Sequence, residues 1–260
     1  MKRIYLIFLL VTSFSFAQFN PIFFYEAGKN RISNNLVAYY TLDSNTNEST
    51  GRSPNGTPLN IDYVSGKTGN AARFDAGTDK IDIADTNNLS FTDGTNDIPF
   101  SISMWVYFTA FNPSGDWLFN KNDNTVGGGE WQLVYYQSKF SFFKLDKATG
   151  GVNQTIGVST PFSLNTWYFV TFTDDGSKTV AGMKIYINSV LQTATNISTG
   201  TYTGMANGTS ITRIGLNAWG SAFANHQGYI EDIGVWKNRV LTQNEINKLY
   251  NSGNGITYPF

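Results

Sequence analysis

Cysteine is absent from this chain of 260 residues, and histidine occurs once, as His226. The first absence excludes disulfides, a thiolate nucleophile, any Cys-bearing metal centre and a lipidated N-terminal cysteine. The second leaves acid–base catalysis few options. His226 lies in the polar stretch Ala224-Asn225-His226-Gln227 with no paired serine motif, and reads as a surface residue. Charge is also sparse: 14% of residues carry one, for a formal net charge of −1. That excludes the basic field on which nucleic-acid binding depends. Beyond residue 34, no Pro-rich or charge-rich stretch divides the chain and no fixed-period repeat occurs.

Apolar runs are short as well. The longest stands at the N-terminus, residues 4–11, and falls well below the ~20 residues a membrane-spanning helix needs. Lys2 and Arg3 precede it, and Ser15 and Ala17 follow as a small-x-small cleavage signal before Gln18. The pattern predicts an export signal over 1–17, then a linker over 18–34, with the mature protein secreted, at the cell surface or in the periplasm. Phe19, Ile22, Phe23, Phe24 and Tyr25 prolong the apolar character, so an uncleaved anchor or an apolar arm packed on a partner stays open.

What the chain has in quantity is aromatic residues, 15% of the total, and glycine, 25 residues. Aromatics suit a pleated, half-buried surface, and Gly, Asn and Ser suit tight turns. The stretch from Phe100 to Phe108 alternates cleanly, with Phe100, Ile102, Met104, Val106 and Phe108 on one face. Similar patterns occur at 36–42, 80–83, 131–136, 140–145, 167–173, 184–187, 211–216 and 229–236, separated by turn formers. Many short strands so punctuated predict an all-β sandwich or barrel over 35–260. One short helix closes the chain. Thr242 and Glu245 form a capping box, Leu241 and Ile246 a hydrophobic staple, and Gly253 a stop.

Several of these segments, in order, resemble the laminin-G-like family of concanavalin A-like jelly rolls. They are Leu36-Val37-Ala38-Tyr39-Tyr40-Thr41-Leu42-Asp43, Gly69-Asn70-Ala71-Ala72-Arg73-Phe74-Asp75, Ile81-Asp82-Ile83, and Phe100 through Val106. Trp167 through Phe172, Ile185-Tyr186-Ile187-Asn188 and Gly228 through Trp236 complete the set. The resemblance implies an all-β, antiparallel two-sheet jelly-roll sandwich that usually binds carbohydrate or protein ligands, often beside a structural calcium ion. It also implies that the first and last strands lie close, bringing Asp43 and its polar loop to Glu231 and Asp232 as oxygen ligands. Two positions depart from the family pattern: Asn188-Ser189 replaces the common Asn-Gly hairpin, and Glu231 stands where Asp is usual.

For binding, the informative residues are aromatics outside the regular patterns. Trp117 follows Pro113-Ser114-Gly115-Asp116, and Trp219 lies within Leu216-Asn217-Ala218-Trp219-Gly220. Trp131 and Tyr136 share a strand beside Glu130. An aromatic face can stack on a sugar ring while groups such as Asn217 and Glu130 bond its hydroxyls. Trp105, Trp167 and Trp236, inside strands, read as core. Hydrolysis has weaker support. Glycosidases need two carboxylates flanking the scissile bond, and adjacent Glu231 and Asp232 should point to opposite faces of a strand. The expectation is therefore a non-catalytic, exported recognition module for a glycan or glycosylated surface. A protein-binding adhesive or structural component of a cell surface or virion is the alternative, and a glycoside hydrolase the third reading.

Overall fold

The computed structural model describes residues 32–123, 128–146, 153–159, 162–217 and 225–260. The first eight strands are β1 (Leu36–Tyr40), β2 (Gly56–Leu59), β3 (Asp62–Ser65), β4 (Asn70–Phe74), β5 (Lys80–Ile83), β6 (Phe100–Phe108), β7 (Asp116–Lys121) and β8 (Trp131–Tyr136). Then follow β9 (Lys139–Leu145), β10 (Asn153–Val158), β11 (Trp167–Asp174), β12 (Lys184–Ile187), β13 (Val190–Leu191), β14 (Thr195–Asn196), β15 (Thr212–Ile214), β16 (Gly228–Lys237) and helix α1 (Gln243–Tyr250). Sheet I runs β13-β12-β11-β6-β16-β4-β3, with β1 also on β16; sheet II runs β14-β10-β9-β8-β7-β15-β5-β2. All strand pairs are antiparallel. Of the sandwich and barrel that the strand pattern allows, the chain forms the two-sheet jelly-roll sandwich that the resemblance implies.

The core lies between the sheets. Phe100, Ile102, Met104, Val106 and Phe108 of β6 all enter it, facing Trp131, Leu133, Phe140 and Phe142 of sheet II. The opposite face of sheet I carries a second apolar cluster. Tyr39, Trp105, Phe169, Tyr186 and Trp236 are buried beneath Leu241, Ile246 and Leu249 of the α1 region. Trp167 differs from the other strand tryptophans: it is half-buried and packs against Tyr107. Residues 32–34, expected as the end of a linker, are tied to this cluster through Ile32, whose carbonyl accepts the Trp236 indole N–H at 2.5 Å.

The predicted capping box is present in both directions. The helix stops before Gly253, because Asn251 takes the left-handed C-cap at φ 46°. The Asn188-Ser189 hairpin has both residues at positive φ, 50° and 64°, as a mirror-image turn demands. The proposed export signal, and the rest of the linker up to residue 31, lie outside the described residues. Among those described, no helix is long and apolar enough to cross a membrane.

Candidate functional site

The outer face of sheet II collects half of the six binding candidates, Trp117, Tyr136 and buried Asn217. A β-bulge in β7 lies between Trp117 and Phe119, so that Leu118 and Phe119 both enter the core and Trp117 turns outward opposite Val134. Trp117 is therefore a strand residue and not part of a turn. It is half-buried, and its ring centroid stands 6.3 Å from that of exposed Tyr136. Its indole N–H donates to Gln132 Oε1 at 2.9 Å. A side chain at Gly115, φ +106°, would run into the indole, so this loop can lie against the ring only as glycine.

From Gln132 a polar row crosses the sheet. Gln132 stands opposite Asn120, and Asn120 opposite Arg213. Arg213 bonds the Asn217 carbonyl at 2.9 Å and pairs with Asp82 at 2.6 Å, while Lys80 holds the other Asp82 oxygen at 2.7 Å. Burial acts to raise the Asp82 carboxyl, but these cations together hold it below the ordinary carboxylate range. Trp117, Tyr136 and Asn217 thus belong to one face. Gln132, Asn120 and Arg213, which connect them, are not singled out by the sequence patterns. Alternation across 131–136 puts Gln132 beside Tyr136, and that is the available signal.

Two candidates fall elsewhere. Trp131 is fully buried in the inter-sheet core, with its N–H on the Leu89 carbonyl at 2.9 Å. Glu130 is also fully buried, paired with Lys121 at 2.9 Å and accepting from Ser90 Oγ and the Gly208 N–H. Burial pushes its carboxyl up to about 7 against the pull of Lys121. Trp131 is buried because the apolar side of β8 turns inward, and Glu130, just before β8, is buried by its partners Lys121, Ser90 and Gly208. Trp219 lies outside the described residues. His226 is buried, not superficial: its Nδ1 faces Asp116 Oδ1 at 3.3 Å, between the rings of Phe74 and Phe108.

The carboxylate trio meets at the β3–β4 turn. β1 and β4 share one edge of β16, and β16 is irregular between Glu231 and Gly234, with Asp232 at φ +54°. That irregularity breaks the expected alternation, so both acidic side chains reach Thr68. Glu231 Oε1 accepts the Lys67 and Thr68 N–H groups at 2.8 and 3.0 Å, and Asp232 accepts the hydroxyls of Tyr39 and Thr68. Asp43 Oδ1 accepts the Asn70 N–H at 2.8 Å. Burial, reinforced by repulsion from Asp232 and Asp43, pushes Glu231 up to about 8; burial likewise lifts Asp232 to about 6.

Calcium fits this cluster only in part. Glu231 Oε2 is buried without a hydrogen-bond partner, an oxygen a cation would satisfy. The other carboxylate contacts are already N–H or O–H donors, and among the described residues no three such side chains converge to hold a metal.

Comparison with solved structures supports the same architecture. The binding domain of Paraclostridial Mosquitocidal Protein 1 superposes with TM-score 0.61 at 17% identity, over 86% of this chain and 53% of that one. The botulinum neurotoxin serotype G binding domain gives TM-score 0.61 at 15% identity, over 83% and 50%. This chain therefore spans about half the length of those toxin domains. Domain 4 of AbnA, an extracellular GH43 arabinanase from Geobacillus stearothermophilus solved with arabinotriose, gives TM-score 0.54 at 19% identity, over 85% and 98%. At these identities the likeness establishes the fold alone. No curated protein matches. The family described as the concanavalin A-like lectin/glucanases superfamily matches residues 75–247, more than half of the sequence, and the chain belongs to that family.

Proposed function

We propose that this protein is an exported, non-catalytic carbohydrate-recognition module whose ligand lies on the outer face of sheet II at Trp117 and Tyr136. One observation carries the reading. A half-buried tryptophan and an exposed tyrosine stand side by side on a face whose other outward groups are mainly polar, with an Arg213–Asp82–Lys80 ion-pair cluster among them. Such a face offers ring surface for the C–H side of a sugar and hydrogen bonds for its hydroxyls. The arabinotriose bound to the AbnA domain is consistent with this use of the fold.

The non-catalytic half of the reading rests on where the carboxylates stand. Asp82, on the outer face, is paired by Arg213 and Lys80, and Glu130 points into the core. Neither forms the pair of carboxylates across a groove that glycoside hydrolysis uses.

The test is binding of the purified protein to a broad panel of polysaccharides and oligosaccharides, with Trp117→Ala as control. Saturable binding lost in that variant supports the module. A stable protein that binds nothing on the panel sinks it and moves the chain to the protein-binding adhesive class.

A further inference from the structure

At one end of the sandwich the segment before β7 and the β8–β9 turn enclose a cavity of about 160 Å³, lined by Phe111, Asn112, Pro113, Tyr135, Gln137 and Ser138. No lining residue is charged. The Phe111 ring lies 5.0 Å from that of Tyr135 and 5.3 Å from that of Phe108, which makes one wall apolar and aromatic. The opposite wall is the turn Gln137-Ser138, two exposed residues with φ of 50° and 59°. Amide and hydroxyl groups thus face ring and proline surfaces across the cavity.

Both walls are fixed before any ligand arrives. The Asn112 N–H donates to Asp116 Oδ2 at 3.0 Å, its side chain accepts from the Ser114 N–H at 2.9 Å, and its Nδ2 bonds the Asn225 carbonyl at 3.1 Å. Buried Asp116 also accepts the Gln227 N–H at 3.0 Å and faces His226. The turn is closed by the regular pairing of Tyr136 with Lys139. A site that needs no ordering loses little affinity to immobilisation.

Size and chemistry together name an occupant. Small-molecule pockets commonly enclose roughly 300–1,000 Å³, so a cavity of about 160 Å³ admits at most a single sugar ring and not a run of them. An ionised sugar would enter with no counter-charge among the lining residues, which disfavours it. Trp117 and Tyr136 lie on the adjoining strands β7 and β8, on the outer face of sheet II.

We propose that this cavity receives the terminal, uncharged sugar unit of a glycan chain, so that the module reads chain ends and not chain interiors. The inference rests on the carbohydrate reading above and deepens it. Its test compares titration of oligosaccharides that share one backbone but end in a neutral sugar or in a uronic acid. The variant is Gln137→Gly, which removes the amide while suiting the left-handed turn.

The expected results are at least tenfold weaker binding of the uronic-acid-ended oligosaccharide, and a five- to tenfold loss for the neutral-ended one in Gln137→Gly, with Tm unchanged or raised. If both comparisons leave affinity unaltered while Trp117→Ala abolishes binding, the cavity is unused and this inference falls, although the carbohydrate reading stands. If the wild-type protein binds no glycan at all, both fall together.

Discussion

On the outer face of sheet I, Tyr39, Trp105, Phe169, Tyr186 and Trp236 are buried under α1 and the C-terminal residues. The matching face of sheet II carries Asn120, Gln132, Ser141 and Thr155, all buried, with Trp117, Phe143 and Tyr136 reaching partial or full exposure. Both sheets give their inner faces to one core, so the inner faces do not distinguish them. The outer faces do: one is closed by the protein's own helix, and the other carries a row of buried polar groups edged by half-buried Trp117 and exposed Tyr136. Aromatics on the first are packed under the helix, whereas on the second Trp117 is half-buried and Tyr136 exposed.

The largest effect should come from breaking the closed face. Leu249 is 3% exposed beneath α1, and Leu249→Ala should cost about 2–5 kcal/mol through lost burial and a residual cavity. Thermal melting would register this as a fall in Tm, while glycan affinity measured on folded protein stays at the wild-type value. A parallel loss of affinity would show that the two faces are coupled.

A comparable effect should appear on the inner side of sheet II, at Glu130. Its folded carboxyl is raised to about 7 from an ordinary 4.5. The associated stability is present below about pH 4.5 and is lost as pH rises through 7, at roughly 1.4 kcal/mol for each pH step of one within that window. Urea unfolding across this range should show the decline, and Glu130→Gln should flatten part of it without altering glycan affinity. A slope identical in the variant would refute this assignment.

Much of this contrast is written in the chain, and the exceptions have physical causes. The alternation of β6 and the capping box of α1 depend on neighbours in sequence and are legible there. The side of β8 facing the core is harder to read, because Trp131 and Tyr136 are both aromatic and only their partners decide which is buried. Residues 131, 133 and 135 together outweigh 132, 134 and 136 in apolar character, and that comparison is the clue. Trp117 has the sequence context of a turn residue because the bulge at Leu118 interrupts the period of two. The joint approach of Glu231 and Asp232 to Thr68 depends on one positive φ that no side-chain pattern announces.

Next in size is Trp117→Ala, which should weaken glycan binding by about 2 kcal/mol, some thirtyfold, as loss of an aromatic anchor commonly does. Stability should change by less than in Leu249→Ala, because Trp117 is only half-buried. Calorimetric titration and a melt on the same sample separate the two readouts. An unchanged affinity would remove the functional half of the contrast between the faces.

The smallest expected effect concerns the direction of the ring and not its presence. Gln132 accepts the Trp117 indole N–H at 2.9 Å from the neighbouring strand, and the glycine loop at Gly115 lies against the same ring. Gln132→Leu keeps the side-chain volume and removes the acceptor, leaving the loop in place. The indole then loses one bond worth about 1 kcal/mol, so affinity should fall roughly fivefold with little change in Tm. If affinity is unaffected, the ring is aimed by the Gly115 loop alone, and the polar row of sheet II supplies hydrogen bonds to the ligand without orienting its aromatic neighbour. If affinity falls as far as in Trp117→Ala, the amide itself contacts the sugar, and the recognition surface extends inward from the rim towards Asn120 and Arg213.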